Sequence, residues 1–293
     1  MFKDTELSCQ DLTPVWDSWD TDGSDRFFGK LRMAFGLIIV GDEILSGKRQ
    51  DAHFAKVVAL LAERGLQLAW AEYVGDDPHR ITATLRRTMA SGDIVFSCGG
   101  IGATPDDHTR QCAAAALGVP LALHPDGKRH IQDRILEVAR EEGVVASLDS
   151  PDNLHRLKMA EFPQGASLIP NPYNKVPGFT VGSHHFVPGF PVMAWPMIAW
   201  VLDTLYGDMF HQTPRAEHAV LVYGAAESAL TPLMVAIETD FAPIKVFSLP
   251  SVGSASTRRH IELGVKGEPQ QAAAAFAFLR AELDRLGAEY APA

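Results

Sequence analysis

Three glycines, two threonines and two adjacent acids fall within the twelve residues Cys98-Gly-Gly-Ile-Gly-Ala-Thr-Pro-Asp-Asp-His-Thr109. Gly99, Gly100 and Gly102 free the backbone to wrap a phosphate, whose charge would also meet the N-terminus of a following helix. Thr104 and Thr109 can donate hydroxyl hydrogen bonds, and Arg110 can add positive charge. Asp106 and Asp107 beside such a nest would repel a phosphate unless a cation stood between them, so the pair points to Mg²⁺ or a similar hard ion. The run is not a Walker A sequence, because the Lys-Ser/Thr ending is missing, and it lacks the G-x-G-x-x-G spacing of dinucleotide folds. His108 is placed to act as an acid or base, although the surface of a helix is its more ordinary position.

Three other clusters have residue types that can join this site. In Gly41-Asp42-Glu43-Ile44-Leu45-Ser46-Gly47-Lys48, Asp42 and Glu43 are hard oxygen donors for a divalent ion and Lys48 suits a phosphate. An acidic turn after a strand is also an ordinary solvated loop. In Gly75-Asp76-Asp77, Asp77 has a structural use as N-cap of a helix beginning at Pro78. Asp76 has no such use beyond turn formation, and is placed to join Asp42 or Glu43 around a cation. The last cluster is split between Asn171-Pro-Tyr-Asn-Lys-Val-Pro-Gly-Phe179 and Val187-Pro-Gly-Phe-Pro-Val-Met193. Pro188, Gly189 and their neighbours stiffen two loops able to close over a ligand, with Asn171, Asn174 and Lys175 as polar contacts; a long structural connection is the alternative.

A scaffold that gathers these loops is written in the hydropathy. Phe35–Val40, Leu66–Val74 and Asp93–Ser97 read as strands, alternating with helices over 51–65, 78–90 and 106–117. Asp51 is the expected N-cap of the first helix, with Phe54, Val57, Val58 and Leu61 on one face and Gly65 as C-cap. Right-handed crossovers put every strand-to-helix loop at one sheet edge, where doubly wound sheets bind ligands. A longer helix over 124–142, strands near 166–169 and 184–187, and an apolar helix over 193–205 follow. Beyond a linker at 206–214 the order is strand 218–223, helix 228–239, strands 244–249 and 259–265, and helix 269–286, a small βαββα unit.

Bulk properties narrow the function. With 293 residues, 46% hydrophobic and 21% charged, the chain has the composition of a folded protein of two domains. A formal net charge of −10 argues against nucleic acid as a partner, since that binding needs Lys and Arg against phosphates. Cys9, Cys98 and Cys112 form no C-x-x-C pair and are odd in number, which fits a reducing compartment. No apolar run reaches the roughly 20 residues of a membrane span, and acids stand where a signal peptide needs a basic start, so a cytoplasmic location is expected. Residues 1–32 carry seven acids and read as an N-terminal extension, expected to be disordered.

Taken in order, Gly41-Asp42-Glu43-Ile44, Val74-Gly75-Asp76-Asp77, Gly99 to Thr109 and Pro188-Gly189-Phe190-Pro191 closely resemble the molybdopterin-binding MoaB/Mog fold and, more narrowly, the N-terminal part of the CinA (competence/damage-inducible protein A) family. The resemblance covers roughly 34–205 and implies a three-layer α/β domain with a mostly parallel sheet over 33–208. The small α+β unit over 215–293 resembles the KH-like domain that follows it in CinA-like proteins. Also implied are self-association as a dimer or trimer and a small-molecule ligand, a nucleotide or pterin phosphate. CinA-like members hydrolyse the pyrophosphate of ADP-ribose, a similar domain accompanies FAD synthesis, and other relatives adenylylate molybdopterin or assist molybdenum insertion. By the same resemblance Asp107 corresponds to the functional Asp of the glycine loop and Asp76 to its acidic partner. Asp42, Glu43, Asp76 and Asp107 then form the expected set for Mg, Mn or Co, with Lys175 or Arg110 stabilising the leaving charge. A non-catalytic module that senses or carries molybdopterin is the alternative of another class.

Nothing in the chain resembles the nicotinamide-nucleotide deamidase domain of full-length CinA proteins, so that activity is not expected. There are departures: Asp51-Ala52-His53 stands where the family has Asp-Thr-Asn, and Met193-Ala194 where it has Glu-Met. The unit after residue 210 lacks a Gly-x-x-Gly loop and holds nine acids against seven Lys and Arg, which excludes RNA binding from the expectation.

Overall fold

Strand β1 (Phe35–Val40) is buried at every position and shows why its sheet is covered twice. Phe35, Leu37 and Ile39 belong to one apolar cluster, Ile38 and Val40 to another, because successive side chains of a strand point to opposite faces. Strands β2 (Leu68–Val74) and β3 (Ile94–Cys98) pair with it on either side, both parallel. The computed structural model describes residues 33–293 except 146, 213, 255 and 256, so Cys9 and the expected extension over 1–32 lie outside the described residues.

The helices of this part are α1 (Asp42–Leu45), α2 (His53–Ala62), α3 (Pro78–Ser91) and α4 (Thr109–Leu117). After them come β4 (Leu121–Leu123), α5 (Pro125–Glu141), α6 (Pro151–Leu157), a 3₁₀ turn over Lys158–Ala160, β5 (Glu161–Pro163), β6 (Ser167–Ile169), β7 (Gly178–Val181), β8 (His184–Val187) and α7 (Pro191–Leu205). The sheet runs β2-β1-β3-β8-β7-β6, parallel as far as β8 and antiparallel beyond it. Val57, Leu61, Ile198 and Val201 of α2 and α7 cover one face, while Ile81, Leu85 and Ala113 of α3 and α4 cover the other. This is the three-layer α/β arrangement, with the ends of β1, β2, β3 and β8 at one edge. Backbone bonds lace that edge: Gly41 N donates to Val74 O at 3.0 Å and Gly99 N to Val187 O at 3.0 Å.

The last part is β9 (Ala216–Tyr223), α8 (Glu227–Asp240), β10 (Lys245–Ser251), β11 (His260–Gly267), α9 (Pro269–Arg285) and β12 (Glu289–Pro292). Its antiparallel sheet runs β10-β11-β9-β12 over a core of Val222, Ile237, Leu263, Leu279 and Leu283. The unit is therefore βαββαβ rather than βαββα; β12 is a four-residue edge strand ending in proline, too short to show a pattern. Two other expectations are corrected. Helix α2 buries His53, Val57, Leu60 and Leu61, so Phe54, one position and about 100° round from that stripe, is exposed, as is Val58. Helix α4 begins at Thr109, not 106, because Asp106 and Asp107 belong to a turn that closes on Thr104. No helix among the described residues is long and apolar enough to cross a membrane.

Strand β8 carries two buried histidines at its start. His184 Nε2 meets Thr88 Oγ1 at 2.9 Å, and His185 meets Thr180 Oγ1 at 2.9 Å and the Tyr206 hydroxyl at 2.7 Å. Burial disfavours their charged forms and pulls His184 down to about 4 and His185 to about 3.

Candidate phosphate-binding site

After β3 the chain turns with Gly99 at φ 107° and Gly100 at φ 68°. Both are conformations that side chains resist, and space forbids one as well: a Cβ on Gly99 would strike the Val40 carbonyl, and one on Gly100 the buried Thr109 hydroxyl. Gly102 is needed for room alone, since a Cβ there would stand 2.5 Å from Asp107 Oδ2. The loop is held from several directions. Thr109 donates its amide to Gly100 O at 2.9 Å and its hydroxyl to Gly99 O at 3.1 Å. Asp107 Oδ2 accepts from the amide and hydroxyl of Thr104 at 2.8 and 2.5 Å. Behind the loop the buried Arg110 donates to the carbonyls of Gly102, at 2.6 Å, and of Lys158, while His155 Nε2 lies 2.6 Å from Ala103 O.

These bonds occupy the carbonyls and leave the amides. The backbone N–H groups of residues 100, 101, 102 and 103 find no acceptor among the described residues, although buried or half-buried amides are normally paired. All four residues line a cavity of about 660 Å³. Its other walls are Gly41 and Glu43 after β1, Asp76 after β2, Asn171 and Asn174 from the β6–β7 connection, and Pro188, Gly189 and Phe190 after β8. Four clusters far apart in the chain thus meet at one place, because parallel strands present their ends together.

The acids gather on one side. Asp42 N donates to Asp76 Oδ2 at 2.9 Å and Asp76 N to Asp42 Oδ1 at 3.2 Å, so each carboxylate caps the other's backbone. Burial raises the Asp76 carboxyl above the usual range; the Asp42 amide opposes this, and the charges of Asp42, Glu43 and Asp106 add to the rise. Asp42, Glu43, Asp76 and Asp106 border an adjoining recess together with Lys48. Asp107 lines the main cavity, but with one oxygen committed to Thr104. The expected ligand set of Asp42, Glu43, Asp76 and Asp107 is therefore not assembled: among the described residues no three His, Cys, Asp or Glu converge at ligating geometry, and Asp106, not Asp107, shares the recess with Asp42, Glu43 and Asp76.

Three expected contacts lie elsewhere. Thr109 is fully buried and serves the loop backbone. Lys175, in a left-handed turn at φ 64°, pairs with Glu137 of α5. Arg110 lies behind the loop with its charge on carbonyls, and burial pulls its guanidinium below the ordinary value. Asn171 lines the cavity but uses its side chain to shape its own loop, donating to Asn174 Oδ1 at 2.8 Å and Val176 O at 2.9 Å. Asp77 caps α3 as expected, accepting from His79 N at 2.7 Å and Arg80 N at 3.3 Å. Sequence reasoning passed over Arg49, the cation on the main cavity, in favour of its neighbour Lys48. It also missed Met159, which no motif announces and which joins Val176, Pro177 and Met193 of the two expected loops in an apolar wall.

Fold and site together define an α/β protein whose glycine-rich loop follows a parallel strand and lines a cavity at one sheet edge. A family described as "probable molybdopterin binding domain" matches residues 36–207, more than half the chain, and the chain belongs to that family. Its relatives include a CinA-like protein of Anaeromyxobacter sp. (strain Fw109-5), 36% identical over 160 residues, covering 53% of this chain and 37% of the relative. Another, from Anaeromyxobacter sp. (strain K), is 35% identical over 211 residues, covering 69% of this chain and 49% of its own. The chain thus spans no more than about half the length of these relatives. Among solved structures, the CinA protein of unknown function from Thermoplasma acidophilum is 28% identical, with a TM-score of 0.49, covering 58% of this chain and 97% of that one.

Proposed function

We propose that the cavity binds the phosphoanhydride of a nucleotide-linked compound of the ADP-ribose or FAD type and hydrolyses it with the help of Mg²⁺, Mn²⁺ or Co²⁺. The observation that carries this reading is the run of four amides, 100 to 103, that find no acceptor among the described residues and belong to residues lining a cavity shared with Glu43, Asp76 and Asp106. The donor set suits a hard ion in kind, since Glu43, Asp76 and Asp106 offer carboxylate oxygens around one recess and their mutual repulsion is what a cation relieves. Such an ion, when bound, supplies Lewis acidity toward a phosphoryl oxygen and lowers the pKa of a water.

The chain's own residues do the rest. The loop amides hold phosphoryl oxygens and stabilise charge that builds on them in the transition state. Asp76, which borders both the cavity and the acidic recess, is placed to take the proton of the attacking water. Asp107 keeps Thr104 and the loop in place, and Arg49 balances charge on the departing phosphate. Val176, Phe190 and Met193 give the ring system an apolar wall. Self-association as a dimer or trimer belongs to the same proposal; exposed Phe54 and Val58 of α2 offer it an apolar surface, read by light scattering.

A second reading, molybdopterin binding with or without adenylyl transfer, is favoured by the description of the family itself. Purified protein incubated with ADP-ribose, with FAD, and with ATP plus molybdopterin, each under Mg²⁺, Mn²⁺ or Co²⁺, separates the two. AMP release from the first two, reduced roughly 10²–10⁴-fold in Asp76→Asn, is the expected result. Tight pterin binding without AMP release overturns hydrolysis.

A further inference from the structure

His53 opens α2 with its ring almost wholly buried, 4% exposed. Its Nε2 lies 3.0 Å from the carbonyl oxygen of Gly189, across 136 residues of chain. A carbonyl only accepts, so Nε2 carries the hydrogen, and Nδ1 of the neutral ring is left as an acceptor. That Nδ1 is buried and has no hydrogen-bond partner among the described residues, so the ring's one polar bond is the one to Gly189. The backbone beneath the ring is fixed too, because Asp51 accepts from His53 N at 2.8 Å and from Phe54 N at 3.1 Å, while the Tyr73 hydroxyl donates to Asp51 at 2.9 Å. On the other side, Gly189 lines the cavity, and a Cβ on it would stand 3.5 Å from Gly99 Cα. The backbone at 189 rests on the glycine loop itself.

We infer that His53 is a positioning residue: by donating Nε2–H to the Gly189 carbonyl it holds the Pro188–Phe190 wall against the glycine loop and so sets the width of the cavity for its ligand. A purely space-filling residue would do as well with an apolar ring or chain; a positioning donor must keep its hydrogen at the Nε2 distance. The inference rests on the reading of the cavity as a phosphate site.

The full chain is compared with His53→Leu, which removes the donor at similar volume, His53→Gln, which keeps an amide donor near the Nε2 position, and His53→Asn, whose amide falls short of Gly189. Two quantities are measured: hydrogen exchange of the segment 187–194 without ligand, and affinity for ADP-ribose with Mg²⁺ by calorimetry. Loss of one such bond is expected to weaken binding about tenfold in His53→Leu, with several-fold faster exchange of the segment, and His53→Gln to restore both. If His53→Leu fails to fold, His53→Asn replaces it with the same expectation. Wild-type exchange and affinity in the donor-free variant, or failure of His53→Gln to restore them, overturns the positioning role. Should the wild type itself not bind ADP-ribose, the phosphate reading fails, and the exchange measurement still decides what His53 does.

Discussion

The six-stranded and four-stranded sheets are alike at their centres and unlike at their ends. Leu37, Ile94 and Phe96 in the first and Val222, Leu263 and Val265 in the second are all fully buried, so each sheet has a sound core of its own. At the edge where β1, β2, β3 and β8 end, the first sheet passes into Gly99, whose backbone is crowded by Val40, and into amides with no acceptor among the described residues. The second passes from β9 into Gly224, also at positive φ (69°), with open space around it. Arg258 of this part grips Glu289 with two bonds of 2.6 and 2.8 Å and lies 4.4 Å over the Tyr223 ring. Apolar packing builds both sheets; a site arises only where tight turns leave polar groups unsatisfied and facing a cavity.

That contrast can be broken or sharpened at several points. The largest stability effect belongs to the second sheet: Leu263→Ala should cost about 2–5 kcal/mol in urea unfolding, yet leave ligand affinity at the first sheet within twofold. A large drop in affinity would show the two regions to be coupled. Next, Gly99→Ala combines an unfavourable φ with a collision and is expected to cost roughly 2–4 kcal/mol and to abolish ligand binding, whereas Gly224→Ala costs about 1 kcal/mol with binding intact. Equal costs at the two glycines would contradict the crowding argument.

A smaller effect follows from the histidines of β8. Their folded values, about 4 and about 3, lie below the ordinary 6.5, so between these limits the unfolded chain holds more protons. Their contribution to stability is complete above pH 6.5 and is lost as pH falls toward 4 and then 3. Between pH 6.5 and 5 each should account for on the order of 1–2 kcal/mol. Of the five tryptophans, Trp70, Trp195 and Trp200 lie in the first region, none follows residue 200, and Trp16 and Trp19 lie outside the described residues, so with Trp16 and Trp19 replaced by Phe the tryptophan fluorescence in urea follows this loss selectively. A midpoint independent of pH across that window would show that the rings are solvated. The smallest effect is Arg258→Ala, an exposed pair for which no change in midpoint is expected, and a clear loss would mean that the second sheet depends on its surface charges.

Period and punctuation made most of this legible in the sequence. The unbroken apolar run at 35–40, Asp77-Pro78 before α3, and the glycines at 99, 100 and 102 each have a local cause that survives into three dimensions. Illegible were features that depend on where a side chain points after folding. Lys175 and Arg49 are both cations in loops near the site, and only the turn at 175 and the pairing with Glu137 send one away. Asp106 and Asp107 are adjacent, and only the folded turn shows that Asp107 accepts from the Thr104 amide while Asp106 borders the recess with Asp42 and Asp76. His53 reads as a departure from a pattern until Gly189 is beside it.

Backbone ¹⁵N–¹H spectra during a titration with pyrophosphate and Mg²⁺ decide whether the amides of 100 to 103 are the phosphate receptor proposed above. Downfield proton shifts and slowed exchange at Gly100, Ile101, Gly102 and Ala103, saturating together with binding, are expected. Saturable binding that leaves those four signals where they were would contradict the proposal.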